Sequence, residues 1–299
     1  MACLPNYGWV VTDTLNSRLG YSSEARLVII AVDGMGSTHA ATAGCYDSLR
    51  HGLATSGRLM VPGPWARAAA ADFRGEDIGV SLTLLAEHDR FRWGPVTHAP
   101  SLVDGNGGFP STAPDLWDHG SLDEVRRECR AQIERAIWWG FDVSHLDSHL
   151  DALHMRPEFF DAELELAVEF NLPLRLPGVA AETRAGFPFR RLAAEEGVLT
   201  PDYVVTIADP AAASFELALH QLQPGVTEIK LTPALDTPEL RSLYNASSEW
   251  TLPVEHHRIL VEAEALDATT HATLRAIMAR SGVQQIGYRA LRAAQRASR

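Results

Sequence analysis

Lysine is nearly absent from this chain. Lys230 is the one lysine in 299 residues, and every other basic side chain is an arginine. Cysteine is scarce too: Cys3, Cys45 and Cys129 are scattered and odd in number. They suggest neither a disulfide framework nor a metal knuckle, and they fit a reducing cytoplasm. Positive charge is in deficit, with a net charge of −12. With no basic surplus to neutralise phosphates, nucleic acid is not an expected partner. No apolar run reaches the length of a membrane span, so no membrane association is expected. The start, Met1-Ala2-Cys3-Leu4-Pro5, lacks a basic segment followed by an apolar one and does not read as a secretory signal. What remains is a cytoplasmic protein acting on a small molecule, with a homodimer left open.

What is present is a repeated strand–helix pattern. Residues 1–25 read as a loose lead-in, and 26–299 as one domain. Arg26 to Asp33 is a near-continuous apolar run ending in an acid, the mark of a parallel strand buried on both faces. Ser37 and Thr38 then offer N-caps for a helix from about His39 to Arg50. Further strands are expected over 53–61, 77–84, 141–149, 173–177, 203–207, 226–233 and 283–287. Helices are expected over 123–139, 157–169, 188–196, 210–221, 236–244, 254–265 and 270–281, with a basic one from Tyr288. In the 123–139 helix, Val125, Cys129, Ile133 and Ile137 form the apolar stripe. Such alternation predicts an α/β fold with a parallel sheet, and the number of units favours a TIM-like (β/α) barrel of seven strands.

Titratable residues crowd one stretch, Ser144-His145-Leu146-Asp147-Ser148-His149, followed by Asp151 and His154. It reads as the C-terminal end of a buried strand, where β/α proteins place their chemistry. His145, Asp147 and His149 alternate, so they share a face and could bind a divalent metal, or they could cap loops. Asp33 ends the first strand beside a helix start, as a cap or a catalytic carboxylate. The long 87–120 loop carries Phe91, Trp93 and Trp117, which either stack on a sugar ring or pack the loop down.

These residues resemble the YdjC-like (ChbG/HpnK) carbohydrate deacetylases. The resemblance is carried by the first strand with its acid, Gly79-Val80-Ser81-Leu82-Thr83-Leu84, Arg92-Trp93-Gly94-Pro95 and His145-Leu146-Asp147-Ser148-His149. Gly186-Phe187-Pro188-Phe189-Arg190, Gly225-Val226-Thr227-Glu228-Ile229 and Ile286-Gly287-Tyr288-Arg289 complete it. It implies a (β/α)-barrel-like fold and metal-dependent hydrolysis of an N-acetyl group from an amino sugar, with Mg or Zn as the ion. Trp93, Phe109 and Arg190 are candidate substrate-binding residues, and the resemblance puts Asp33 at the position of the base. The family's pattern is broken at its metal ligands. Gly34 stands where an aspartate ligand is expected, Ser81 where a histidine is, Thr232 before the late proline, and Ala31 ahead of the acid. His145, His149 and Asp147 alone remain as a residual metal set, so a bound metal is not expected unless that set functions.

Lys230 lies two residues before Thr232 on one strand, so both face the same side. If Thr232 faces the pocket, so does Lys230. There it either pairs with Asp33 or Glu228, or serves as a Schiff-base amine in retro-aldol chemistry on a carbonyl compound. Asp33, Asp151 or His154 would then carry the proton, and Asp33 or Asp151 alone could act as general base. The alternatives are a deacetylase with weakened metal binding and a non-catalytic binder of an N-acetylated sugar. The stripped ligand positions suit a natural pseudoenzyme or a deliberately remade site.

Overall fold

A computed structural model describes residues 14–244, 249–261 and 268–298. The first thirteen residues of the lead-in, including Cys3, lie outside the described residues. So do Asn245-Ala246-Ser247, which match the Asn-x-Ser glycosylation pattern in the sequence, and the end of the helix expected over 254–265. In chain order the elements are α1 (Leu15–Arg18), β1 (Arg26–Met35), α2 (His39–Arg50), β2 (Ser56–Leu59), α3 (Ala66–Asp72) and β3 (Ile78–Leu82). Then come α4 (Ala113–His119), α5 (Leu122–Trp138), β4 (Leu146–Ser148), α6 (Pro157–Phe170), α7 (Val179–Ala185), α8 (Phe189–Glu195), β5 (Tyr203–Thr206) and α9 (Ala211–His220). The chain continues with β6 (Gly225–Leu231), α10 (Pro238–Leu243), α11 (Thr251–Leu260), α12 (Ala268–Arg280), β7 (Gln284–Gln285) and α13 (Tyr288–Ala297).

All strands pair in parallel, in the order β4-β3-β2-β1-β6-β5, with β7 added to β1. β1 is the spine. Its seven register pairs with β6 run from Arg26↔Gly225 to Val32↔Leu231. Its side chains alternate as a strand requires. Leu27, Ile29 and Ala31 join Val226, Ile286, Tyr288 and Leu291 in an inner cluster. Val28, Ile30 and Val32 belong to the large core under the helices. Both faces of β1 are therefore buried, which is why its sequence is apolar without interruption.

The closed seven-stranded barrel expected from sequence is present as a curled parallel sheet. The segment expected to be a strand over 173–177 makes one bridge, Leu146↔Leu174. Leu146 N–H donates to Pro173 O at 2.9 Å, and Leu174 N–H donates to Leu199 O at 3.0 Å. Arg175 N–H donates back to Leu146 O at 2.9 Å, so a short run of backbone bonds spans the gap between β4 and the lead into β5 in place of a full ladder. Proline at both ends of Pro173–Pro177 removes ladder donors, which accounts for the shortness. The long 87–120 loop is partly ordered by α4, and α7 is a helix that the sequence pattern does not announce. Ile137 is 48% exposed, so the α5 stripe runs out into solvent in its last turn. Cys45 and Cys129 are buried free thiols. No helix among the described residues is long and apolar enough to cross a membrane.

The inside of the curled sheet is tight at its base. A Cβ on Gly79 would lie 2.4 Å from His145 Nδ1 and 2.5 Å from His145 O. Gly79→Ala is therefore expected to destabilise the protein by about 1–3 kcal/mol through overpacking. Gly105→Ala, where a Cβ meets nothing within 4 Å, is expected to change stability by no more than about 0.5 kcal/mol. Denaturant unfolding of the two variants checks both values.

Candidate active site

β1 and β6 deliver the central pair. The register Ala31↔Lys230 sets Lys230 beside β1, one inward-facing position below Asp33. Lys230 Nζ lies 2.7 Å from Asp33 Oδ2. Asp33 Oδ1 accepts from the Gly34 N–H at 2.8 Å, and Arg58 Nη1 stands 3.8 Å from Oδ2. Burial alone would raise the Asp33 carboxyl, but Lys230, Arg58 and His149 hold it well below the usual carboxylate range. Gly34 has φ +93°, where L side chains are strained, so an aspartate at 34 would require a different backbone. Sequence leaves Lys230 divided between a neutral amine and an ion pair; the geometry is that of the ion pair with Asp33.

Above this pair is a cavity of about 170 Å³. Asp33, Lys230, Thr232, Glu87, Trp93 and His149 line it, with further residues from the later helices. His149 follows β4, and its Nε2 is 3.0 Å from Glu87. Burial disfavours the imidazolium, yet the Glu87 charge and hydrogen bond outweigh burial and raise His149 above its ordinary 6.5. Thr232 is anchored from behind, its N–H donating to His256 Nδ1 at 3.0 Å.

Below the cavity runs a buried ionic network. Arg58, on β2, has no solvent exposure. It pairs with Glu228 and lies 3.3 Å from Asp147. Arg175 lies 3.5 Å from Glu228 and 3.7 Å from Asp147, and it pairs with Asp151. Tyr288 donates its hydroxyl to Glu228. The Tyr288 ring stacks on His145, with centroids 3.6 Å apart and planes at 9°.

The expected metal set does not converge. His145 is wholly buried under Tyr288, with Nδ1 2.9 Å from Ser144 Oγ. Burial and the Arg58 charge push it well below 6.5, so it is neutral. Asp147 is enclosed by two arginines, and His149 is committed to Glu87. Alternation fixes a shared face, but each two-residue step climbs about 7 Å along a strand, whereas ligand atoms must sit about 2 Å from one ion. Ser81, paired in register with Asp147, leaves its buried Oγ without a hydrogen-bond partner, and the Asp147 carboxylate at that level faces Arg58 and Arg175. Among the described residues no group of three or more His, Cys, Asp or Glu could hold a metal ion. The side chains present therefore do not fit the ligand geometry that the family resemblance implies.

The remaining candidates divide. Trp93 lines the cavity, and its Nε1 donates to Leu85 O at 2.7 Å. Phe109 has no exposure and packs in the core, so it is not a pocket wall. Arg190 donates to the carbonyls of Leu176, Pro177, Pro201 and Asp202. It staples two loops together and does not line the cavity. Trp117 donates to Ala152 O at 2.8 Å, and Phe91 packs against the core, so both tie the loop down. Asp151 and His154 lie beside the cavity lining. His154 is fully buried, 3.3 Å from Asp151 and 3.0 Å from Glu163. Burial would lower His154, but the Glu163 charge and the Asp151 hydrogen bond raise it to about 9.

Arg58 and Glu87 were not legible as site residues. For Arg58 a signal exists: a lone arginine inside the apolar run 56–61 must meet carboxylates from neighbouring strands. For Glu87, nothing local distinguishes it from the other acids of its loop.

A strand-end pocket over a parallel sheet, floored by a carboxylate–lysine pair, defines a β/α protein with an enzyme-like site. Residues 27–280 match the model of the YdjC-like protein family. A carbohydrate deacetylase of Thermus thermophilus is 36% identical over 239 residues, covering 77% of this chain and 85% of that protein. One from Geobacillus stearothermophilus is 30% identical over 268 residues, covering 88% and 97%. The crystal structure of an Enterococcus faecalis protein matches with a TM-score of 0.75 at 24% identity, over 89% of this chain and 99% of that one, and bears on the fold alone. The chain belongs to the YdjC-like carbohydrate deacetylase family.

Arg58→Met strands three carboxylates, Asp33, Asp147 and Glu228, without this shared cation. It is expected to cost about 3–5 kcal/mol in denaturant unfolding. Arg126→Met, at a surface pair with Glu165, is expected to cost less than about 1 kcal/mol. The His154 imidazole titrates near 9 when folded and near 6.5 when unfolded. Its stabilisation is therefore complete below pH 6.5 and lost as pH rises through 9. His154→Gln should flatten the decline of stability with pH over that interval, as read by thermal melts.

Proposed function

We propose that this chain binds an N-acylated amino sugar in the pocket above Asp33 and Lys230. In this reading, fixed side-chain cations supply the positive charge that a divalent ion supplies in the family's chemistry. The observation that carries it is the Lys230 ammonium held 2.7 Å from Asp33 on the cavity floor. An ammonium has three donors, and Asp33 uses one, which leaves donors for an acyl carbonyl oxygen. His149, raised by Glu87, is placed to protonate a leaving amine. Asp33 is held so strongly as a carboxylate that it is a weak base for activating water. Sugar binding is therefore retained and deacetylation is weak or lost.

Lys230 also faces the cavity, which favours a second reading, a Schiff base with a carbonyl substrate. Borohydride with a carbonyl compound would then leave a mass label on Lys230, and an unlabelled lysine excludes it.

The primary test is calorimetry with N-acetylglucosamine and its oligomers in the presence of EDTA. Binding without metal is expected, and Lys230→Met should weaken it tenfold or more. Acetate release should be slow or absent and indifferent to added Zn or Mg. Stoichiometric metal uptake with metal-dependent acetate release would overturn the proposal.

A further inference from the structure

The cavity has two chemically different sides. One is the polar floor of Asp33, Lys230, His149 and Glu87. The other is an apolar wall built by Ala41 on α2, Ala234 after β6, Leu240 and Leu243 on α10, and Pro253 on α11, while Ser37, Thr38 and Thr232 add hydroxyl side chains to the lining. This wall is preformed. Ala234 and Leu240 are buried in one cluster with Ala40 and Val254, against which Ala41 and Leu243 pack. The helix beneath it is held in place, since Glu239 accepts from the Ala40 N–H at 3.1 Å. Tyr244 extends the wall and meets His88 edge-on, with centroids 5.6 Å apart, so the late helices and the loop after β3 close over the cavity together.

A sugar hydroxyl against such a wall gives up its water and finds no partner, which is unfavourable. An acetyl group offers the wall one methyl. The cavity of about 170 Å³ is roughly five to six times the ~30 Å³ share of a liquid water, so a longer arm fits. Small residues at 41 and 234, the two wall positions nearest β1 and β6, leave that room open.

We infer that the preferred ligand carries an acyl group longer than acetyl, of butanoyl to hexanoyl length, lying along the wall from Ala41 to Leu243. This rests on reading the pocket as an N-acyl amino-sugar site, with the carbonyl oxygen at Lys230. The substrate class becomes an amphipathic amino sugar, polar at the floor and apolar at the helices.

The experiment is calorimetry of the full chain in EDTA with glucosamine and its N-acetyl, N-butanoyl and N-hexanoyl derivatives. Affinity is expected to rise about fourfold per added methylene. In Ala41→Leu, which fills the wall, the hexanoyl derivative should lose that gain. Binding of the N-acetyl sugar with a flat or falling response to chain length overturns the inference and leaves the proposed function standing. A rising response that is equal in Lys230→Met supports the apolar arm while overturning the role given to Lys230. No binding by any N-acyl derivative overturns both.

Discussion

The Asp33 carboxylate, held between Lys230 and Arg58, is the constraint on which the rest of the site depends. A carboxylate 5% exposed cannot remain ionised without cations beside it, because desolvation would otherwise favour its neutral form. Lys230 reaches it from β6 and Arg58 from β2, so these two neighbouring strands are tied to the end of β1. The same Arg58 continues to Glu228 and Asp147, and Arg175 continues to Asp151. Charge compensation thus runs from the cavity floor through the interior of the curled sheet to the turn after β4.

This network also explains the side chains around it. Gly79 admits the His145 ring beneath Tyr288. Leu150 and Asp151 follow β4 with φ of +55° and +56°, a conformation that costs a non-glycine residue on the order of 1–3 kcal/mol. Arg175 and His154 grip Asp151 from two sides and hold that turn. The turn in turn places His149 over the pair and Leu150 at the cavity's edge.

Much of this is legible in the sequence, and each failure has its own physical cause. The apolar run of β1 announces a strand buried on both faces, and Asp33 falls at its end. Alternation from Thr232 places Lys230 inward. The same alternation misleads at His145, Asp147 and His149, because it reports which face a residue takes and not how high it stands on the strand. Membership of the 186–190 motif names Arg190 but does not tell a pocket wall from a loop staple, and nothing in the residue type of Phe109 tells a pocket wall from a core ring. Closure of the sheet is overestimated from the repeat of strand–helix units, which takes no account of the ladder donors that Pro173 and Pro177 remove. Arg58 escapes notice, although a single charge inside an apolar strand requires a buried counter-charge.

The scarcity of lysine makes the central claim directly observable. A protein labelled with ¹⁵N-lysine carries one side-chain ammonium signal, that of Lys230. If Asp33 holds that ammonium in a cavity that does not take a side-chain-bound metal, its protons will exchange slowly with water. The signal will shift in Asp33→Asn and stay in place when Zn or Mg is added. A resonance exchanging at the rate of a free lysine, or one displaced to saturation by one equivalent of metal, would contradict the account.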